Sequence, residues 1–213
     1  MRMRATMFFL LCWPVMGWAA EYSDCARMAK TDPSAALTLA DEAIQTRNEP
    51  ADQHCRALAL FNLKRFEEAA DTLARLGKRI KHDDSVLWVQ VKRQEARAWV
   101  QQKKLEAATD ALTAVVNELT PTAFFKMTHG RLLVDSLVER ALIERENDQP
   151  LQAMQDLDFA LAINYESQSA MYQRARLALE LGDRRGATYD LQRLLHINAQ
   201  HSGARSLLED LEN

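Results

Sequence analysis

Eight alanines recur in fixed register along the chain, and that register constrains the fold more than any other feature. Ala69, Ala108, Ala153 and Ala187 each open a segment in which a leucine follows four residues on (Leu73, Leu112, Leu157, Leu191). A further small or apolar residue follows three after that (Leu76, Val115, Ala160, Leu194). Twelve residues before each of the four stands another alanine: Ala57, Ala96, Ala141 and Ala175. Steps of three and four lay apolar residues along one helix face, and alanine lets two helix backbones approach where they cross. The gaps between the aligned alanines are 39, 45 and 34 residues, the length of a two-helix unit. One such hairpin cannot bury its apolar face alone, so the pattern predicts a stack of helical pairs.

Composition agrees. Ala (32) and Leu (29) make up 61 of 213 residues, whereas aromatics are 7% and there are six Gly and five Pro. This favours helix and opposes an all-β fold. The charge balance, 27 basic against 30 acidic for a net of −3, is a poor footprint for nucleic acid, which demands a basic face.

The first residues read as an export signal. Arg2 and Arg4 precede an uncharged apolar run over residues 5–15, and Pro14 and Gly17 break the run ahead of Ala19 and Ala20. Cleavage after Ala19 sets small residues, Gly17 and Ala19, at both positions that need them, so 1–19 is expected to be a removed signal peptide. The alternative, an uncleaved anchor, has an uncharged stretch of 16 residues, shorter than the roughly 20 that span a bilayer. No other stretch is long and apolar enough, so the mature chain is expected in a bacterial periplasm or secreted, without stable membrane insertion, at net −5. In an oxidising compartment the remaining pair, Cys25 and Cys55, reads either as a disulfide or as two buried thiols. A bridge closing about 30 residues stabilises by about 3–4 kcal/mol through loop entropy. Their spacing is far from a redox Cys-x-x-Cys.

The repeated segments resemble the tetratricopeptide repeat family. Residues 172–197 carry the likeness best, with Ala175 in a first helix, Leu181-Gly182-Asp183 at the turn, and Ala187, Leu191, Leu194 and Leu195 in a second helix. Residues 57–76 are similar, with Leu63-Lys64-Arg65-Phe66 at the turn. The family's early Trp and Tyr are mostly missing, and Tyr165 and Ala199 stand where it closes repeats with Pro. The resemblance implies an all-α solenoid of helical pairs in a right-handed superhelix. Its expected parts are a degenerate pair over 20–48, marked by Ala36, Ala40 and Ala43, and about four repeats over 50–213, with a capping helix whose Leu207, Leu208 and Leu211 face inward. The extra length of two repeats falls at 77–85 and 120–136 and is expected in connections. First helices of consecutive repeats pack side by side in such arrays, so a Cys25–Cys55 bridge would staple the terminal pair. The chain is similar in this respect to exported proteobacterial repeat proteins with a cysteine in the opening helix.

No catalytic constellation stands out. There is no phosphate-binding glycine loop, no Gly-x-Ser-x-Gly and no His-Glu-x-x-His. Lys81-His82-Asp83-Asp84 reads as a polar connection rather than a metal site, and Asp156 and Asp158 as a solvated helix face. A non-catalytic protein without cofactor or metal is therefore expected. The resemblance implies a concave groove lined by the first helices, with His54, Leu58, Phe61 and Asn62, then Arg93, Arg97, Val100 and Gln101, then Val138, Leu142 and Arg145, then Tyr172, Arg176 and Leu179. Arg93, Arg97 and Arg176 would form a basic stripe for an acidic peptide or C-terminal carboxylate, or else are ordinary solvated arginines. Leu58 and Gln94 replace the asparagines of the family's chaperone-tail clamp, so that activity is not implied. Phe124, Phe125 and Met127 are expected to fill a gap between repeats. The function expected is an exported adaptor for a protein or peptide. The alternatives are a self-associating envelope subunit, or an enzyme or metal-dependent factor whose site has no motif.

Overall fold

The computed structural model describes residues 17–81, 84–120 and 123–212, and side chains within 23–81, 84–120 and 129–211. The charged start and apolar run of the expected signal therefore lie outside the described residues, as do the Phe124, Phe125 and Met127 side chains, His82 and Asp83. The described residues form eleven helices and no strand: α1 (Gly17–Thr31), α2 (Pro33–Thr46), α3 (Pro50–Asn62), α4 (Phe66–Ile80), α5 (Ser85–Gln101), α6 (Leu105–Leu119), α7 (Ala123–Glu146), α8 (Pro150–Ile163), α9 (Gln168–Glu180), α10 (Arg184–Ile197) and α11 (Ser202–Glu212). Each helix packs on the next, giving five consecutive hairpins closed by α11, and α1 also packs on α3, α5 on α7 and α7 on α9.

The alanine register is the core of this stack. All eight register alanines are at most 2% exposed, and so are Leu73, Leu112, Leu157 and Leu191. The turn inside each of the four pairs from α3 to α10 has one recurrent solution. Five residues before each aligned alanine the backbone is left-handed, at Lys64 (φ 60°), Lys103 (56°), Asp148 (57°) and Gly182 (82°). The next N–H then reaches back five residues to an orphan helix carbonyl: Arg65 to Leu60 (2.9 Å), Lys104 to Trp99 (3.1 Å), Gln149 to Glu144 (2.8 Å) and Asp183 to Ala178 (2.8 Å). This is a Schellman-type ending, which glycine favours; three of the four positions hold a side chain instead.

The missing prolines are replaced by a second device. Asn164 and Asn198, 34 residues apart, each fold the chain through an Asx turn, Asn164 Oδ1 accepting from Glu166 N and Asn198 Oδ1 from Gln200 N, both at 3.1 Å. Ser167 Oγ and His201 Nδ1 then cap the following helices by accepting from Ala170 N (3.3 Å) and Ala204 N (3.0 Å).

The extra repeat length, expected in connections, lies instead in the first helices. These have 13, 17, 24 and 13 residues in α3, α5, α7 and α9. The apolar pattern Trp88, Val89 and Val91 in α5, and Leu133, Val134 and Leu137 in α7, extends the core upward and keeps the added turns folded. α7 accommodates His129 at a kink (φ −121°, ψ 15°), where its Nε2 lies 3.2 Å from Ser85 Oγ at the start of α5.

A polar ladder runs between the helical layers. Arg56, Arg140 and Arg174 stand one residue before Ala57, Ala141 and Ala175. Each bonds the second helix of the pair before and the second helix of its own pair. Arg56 donates to Asp41 and Thr72, both at 2.7 Å. Arg140 donates to Thr113 (3.0 Å) and with a fork to Asp156 (2.6 Å twice). Arg174 donates to Asp158 and with a fork to Asp190, all at 2.7 Å. In α5 the position is Glu95, which pairs instead with Lys92 on its own helix. Asp156, expected on a solvated face, is thus 6% exposed and paired, while Asp158 is exposed as expected.

The ends are tied down separately. A disulfide joins Cys25 in α1 to Cys55 in α3, with Cα atoms 6.0 Å apart. At the other end Leu207, Leu208 and Leu211 of α11 pack on the core beside buried Ala204.

Candidate functional site

The first helices α3, α5, α7 and α9 bring the sequence-derived candidates to one face, but they do not form the stripe expected. Arg93 sits half-buried in α5 and forks onto Glu139 of α7 at 2.8 and 2.9 Å, with Asp135 at 3.6 Å. Arg97, one turn on and more exposed, bonds the same Glu139 carboxylate. Burial pushes the Glu139 carboxyl up, but the hydrogen bonds from Arg93 and Arg97 outweigh it and hold the group below the ordinary glutamate range. The Glu139 bond likewise pushes the Arg93 guanidinium further up. Two arginines thus share one carboxylate. Arg176 lies apart in α9 against the Tyr172 ring, 5.9 Å from its centroid, and makes no ion pair among the described residues.

His54 is corrected from groove residue to buried tie. It is 5% exposed and its Nε2 meets Gln94 Oε1 of α5 at 2.6 Å. Burial pushes its pKa down and the Gln94 bond only partly opposes this, so the ring stays neutral. Tyr172 also leaves the open groove: its ring lies tilted against His201 with centroids 5.0 Å apart, and a Cβ on Gly203 would lie 2.8 Å from its hydroxyl. It holds the capping helix α11. Asn62 is exposed at the end of α3 and donates back to Leu58 O at 2.9 Å. Arg145 is half-buried and points toward Glu180 of α9, with its Nη1 3.8 Å away and without a hydrogen bond.

What the arrangement does build is an open cleft of about 200 Å³ between α5 and α7. Its floor is apolar, with Ala96, Val100, Leu112, Leu142 and Ile143, and its rim carries Arg93, Arg97, Gln101, Glu139 and Glu146. Lys103 and Glu146 close one end at 2.6 Å. The carboxylates of this rim are functional candidates that sequence reading missed. Their signal was available: Asp135, Glu139 and Glu146 fall on the same side of α7 as Leu142, at steps of three and four. A second cleft of about 210 Å³ lies among α1, α2 and α3 around the disulfide, with Met28, Leu39 and the Arg47–Asp52 pair.

No group of three or more His, Cys, Asp or Glu among the described residues is placed to hold a metal ion. No helix among the described residues is long and apolar enough to cross a membrane. Asp84, in the polar connection, caps α5 by accepting from Val86 N and Leu87 N at 2.9 and 3.0 Å.

The stack of hairpins with first helices on one face can be compared with solved structures. MamA from Desulfovibrio magneticus RS-1 superposes with a TM-score of 0.64 at 15% identity, over 86% of this chain and 97% of that one. The TPR-like repeats of a putative kinesin light chain of Podosopora anserina give 0.68 at 20% identity, over 86% and 97%. YrrB, described as a TPR protein with an unusual peptide-binding site, gives 0.62 at 13% identity, over 88% and 90%. The fold is a tetratricopeptide-type solenoid. No family model matches the sequence, and no curated protein does. The solenoid is thus shared at the level of architecture.

Proposed function

We propose that this protein is an exported, non-catalytic adaptor that seats a protein or peptide partner in the α5–α7 cleft. The observation that carries the reading is the cleft itself: an apolar floor with a rim of paired charges, on the face where first helices line up. Such a site fits a segment with one apolar side chain for Val100, Leu142 and Ile143 and one carboxylate for Arg97, whose side chain is 59% exposed beyond its Glu139 bond. The tetratricopeptide fold of YrrB, with its peptide-binding site, supports a peptide role by analogy of architecture. The charged and apolar leader and the Cys25–Cys55 bridge support export to an oxidising compartment.

The test is affinity capture from the envelope of the source cell, with the full chain expressed and processed there. Wild type is compared with Arg97→Glu and Leu142→Glu, each checked for native helicity. The reading predicts that both variants lose the wild-type partner by at least tenfold. Equal capture by folded wild type and both variants would remove the cleft from the account.

A further inference from the structure

The outward faces of the second helices are not alike. Residues two before, two after and nine after each aligned alanine lie opposite the buried side of a helix with 3.6 residues per turn. All twelve such residues in α4, α6, α8 and α10 are exposed. α6 places Glu106, Asp110 and Asn117 there. α8 places Leu151, Gln155 and Ala162, and α10 places Arg185, Tyr189 and His196. The face thus passes from acidic through uncharged to basic within three helices. Leu151, in the middle, is 69% exposed, the most of any large hydrophobic residue described. Tyr189 is 59% exposed, with Arg193 over its ring at 5.8 Å. Glu106, Asp110 and Arg185 make no ion pair among the described residues.

The same three helices form an evenly stepped set. Arg140 spans α6 to α8 from Thr113 to Asp156, and Arg174 spans α8 to α10 from Asp158 to Asp190. Thr113 and Asp158 stand five after their aligned alanines, and Asp156 and Asp190 three after theirs, so one step is used twice. The step from α4 to α6 lacks this tie, because Glu95 takes the place of the arginine and pairs with Lys92. α4 also mixes both signs outward, with Glu67, Asp71 and Lys78. The acidic and basic flanks therefore stand at matching distances on either side of α8.

We propose that two copies of this chain pair through the second-helix face, about a two-fold axis running along α8. Rotation about that axis keeps the direction of the helices and exchanges the flanks. It sets α8 on the α8 of the second copy and α6 on its α10, each residue meeting the one at its own register position. Glu106 then faces Arg185 of the second copy. Asp110 faces the Tyr189 hydroxyl, which donates to it, and Asn117 faces His196. Each of these contacts occurs twice, and Leu151 meets its own counterpart on the axis, out of water. Such an isologous contact closes after two copies. Opposite charges meeting across it select this arrangement over its slipped alternatives. A foreign acidic or basic ligand accounts for one flank only, whereas a second copy accounts for opposite flanks mirrored about an apolar centre. The α5–α7 cleft lies on the first-helix face and stays open in the dimer, so the inference does not rest on the adaptor reading.

The test is sedimentation of the purified full chain, expressed and processed in its source cell, with the disulfide intact. Concentration is raised to about 1 mM, the weak limit of specific association. Wild type should show a monomer–dimer equilibrium with no larger species. Arg185→Glu and Glu106→Arg each set like charges face to face twice, and each should weaken the dimer at least tenfold. Arg185→Glu combined with Glu106→Arg should return to within threefold of wild type. Asp71→Arg, on α4 outside the paired face, should leave the dimer unchanged. All these positions are exposed, and native helicity is checked for each variant. A wild-type monomer throughout, or growth beyond the dimer, overturns the proposal. So do single reversals that weaken nothing, or a double variant no tighter than the singles. Every readout is made without a ligand, so failure here leaves the adaptor reading standing.

Discussion

Replacing Arg174 with methionine tests whether the polar ladder holds the repeats together or merely decorates them. Arg174 in α9 supplies both hydrogen bonds that reach the Asp190 carboxylate, at 2.7 Å each, and Asp190 is 2% exposed. Removing the guanidinium leaves a buried charge without its partner, which costs about 3–5 kcal/mol. The third bond, to Asp158, adds little, because that carboxylate is 57% exposed and a surface pair contributes about 0–1 kcal/mol. The structure therefore predicts a loss of about 4 kcal/mol for Arg174→Met and under about 1 kcal/mol for Asp158→Asn. The double change Arg174→Met with Asp190→Leu should recover most of the loss, since an apolar pair of similar volume replaces the ion pair without an orphan. Arg56→Met should cost about 1–1.5 kcal/mol, because its partners are a half-exposed Asp41 and the neutral Thr72. The assay is urea unfolding followed by helicity at neutral pH. With a slope of about 2 kcal/mol per molar, the Arg174→Met midpoint falls by about 2 M. A fall of less than about 0.5 M, or a double variant no more stable than the single one, would refute the reasoning.

Three further outcomes follow from the same geometry. Lys64 is exposed in a left-handed backbone with φ 60°, so Lys64→Gly should stabilise by about 0.5–1 kcal/mol while Gly182→Ala destabilises by about 1 kcal/mol, both read from urea midpoints. Reducing or removing the Cys25–Cys55 bridge with a paired Cys→Ser change should cost about 3–4 kcal/mol, and peptide-mapped amide exchange should place the loosening in α1 to α3 first. Burial depresses the His54 pKa below its ordinary value of 6.5. Its contribution is complete above that value and is lost as pH falls through the folded pKa. Unfolding midpoints should thus drop on the acid side in wild type and stay flatter in His54→Gln.

The sequence was most legible where one chemical rule repeats. Ala69, Ala108, Ala153 and Ala187 mark helix crossings because a small side chain at a crossing is a local demand, and periodicity reveals local demands. The capping helix was legible from Leu207, Leu208 and Leu211 for the same reason. The extension of α7 was not, because His129-Gly130 reads as a break, yet the helix accommodates a kink there. Three of the four left-handed turns inside the pairs were hidden too, since Lys64, Lys103 and Asp148 adopt a conformation that only Gly182 advertises. The site suffered most. Arg93 and Arg97 looked like free cations because their partner, Glu139, lies more than 40 residues away, and His54 looked like a groove residue because only packing against Gln94 buries it.

The central claim, that a partner is seated on the first-helix face between α5 and α7, is tested most directly by site-specific photocrosslinking in the source cell. A photoreactive residue is placed at Gln101, on the cleft rim, or at Gln192, exposed on the second helix α10. The account predicts one discrete crosslinked adduct from position 101, suppressed by Leu142→Glu, and none of that mass from position 192. An adduct of the same mass from 192, or none from 101 under conditions where the partner is captured, would contradict it.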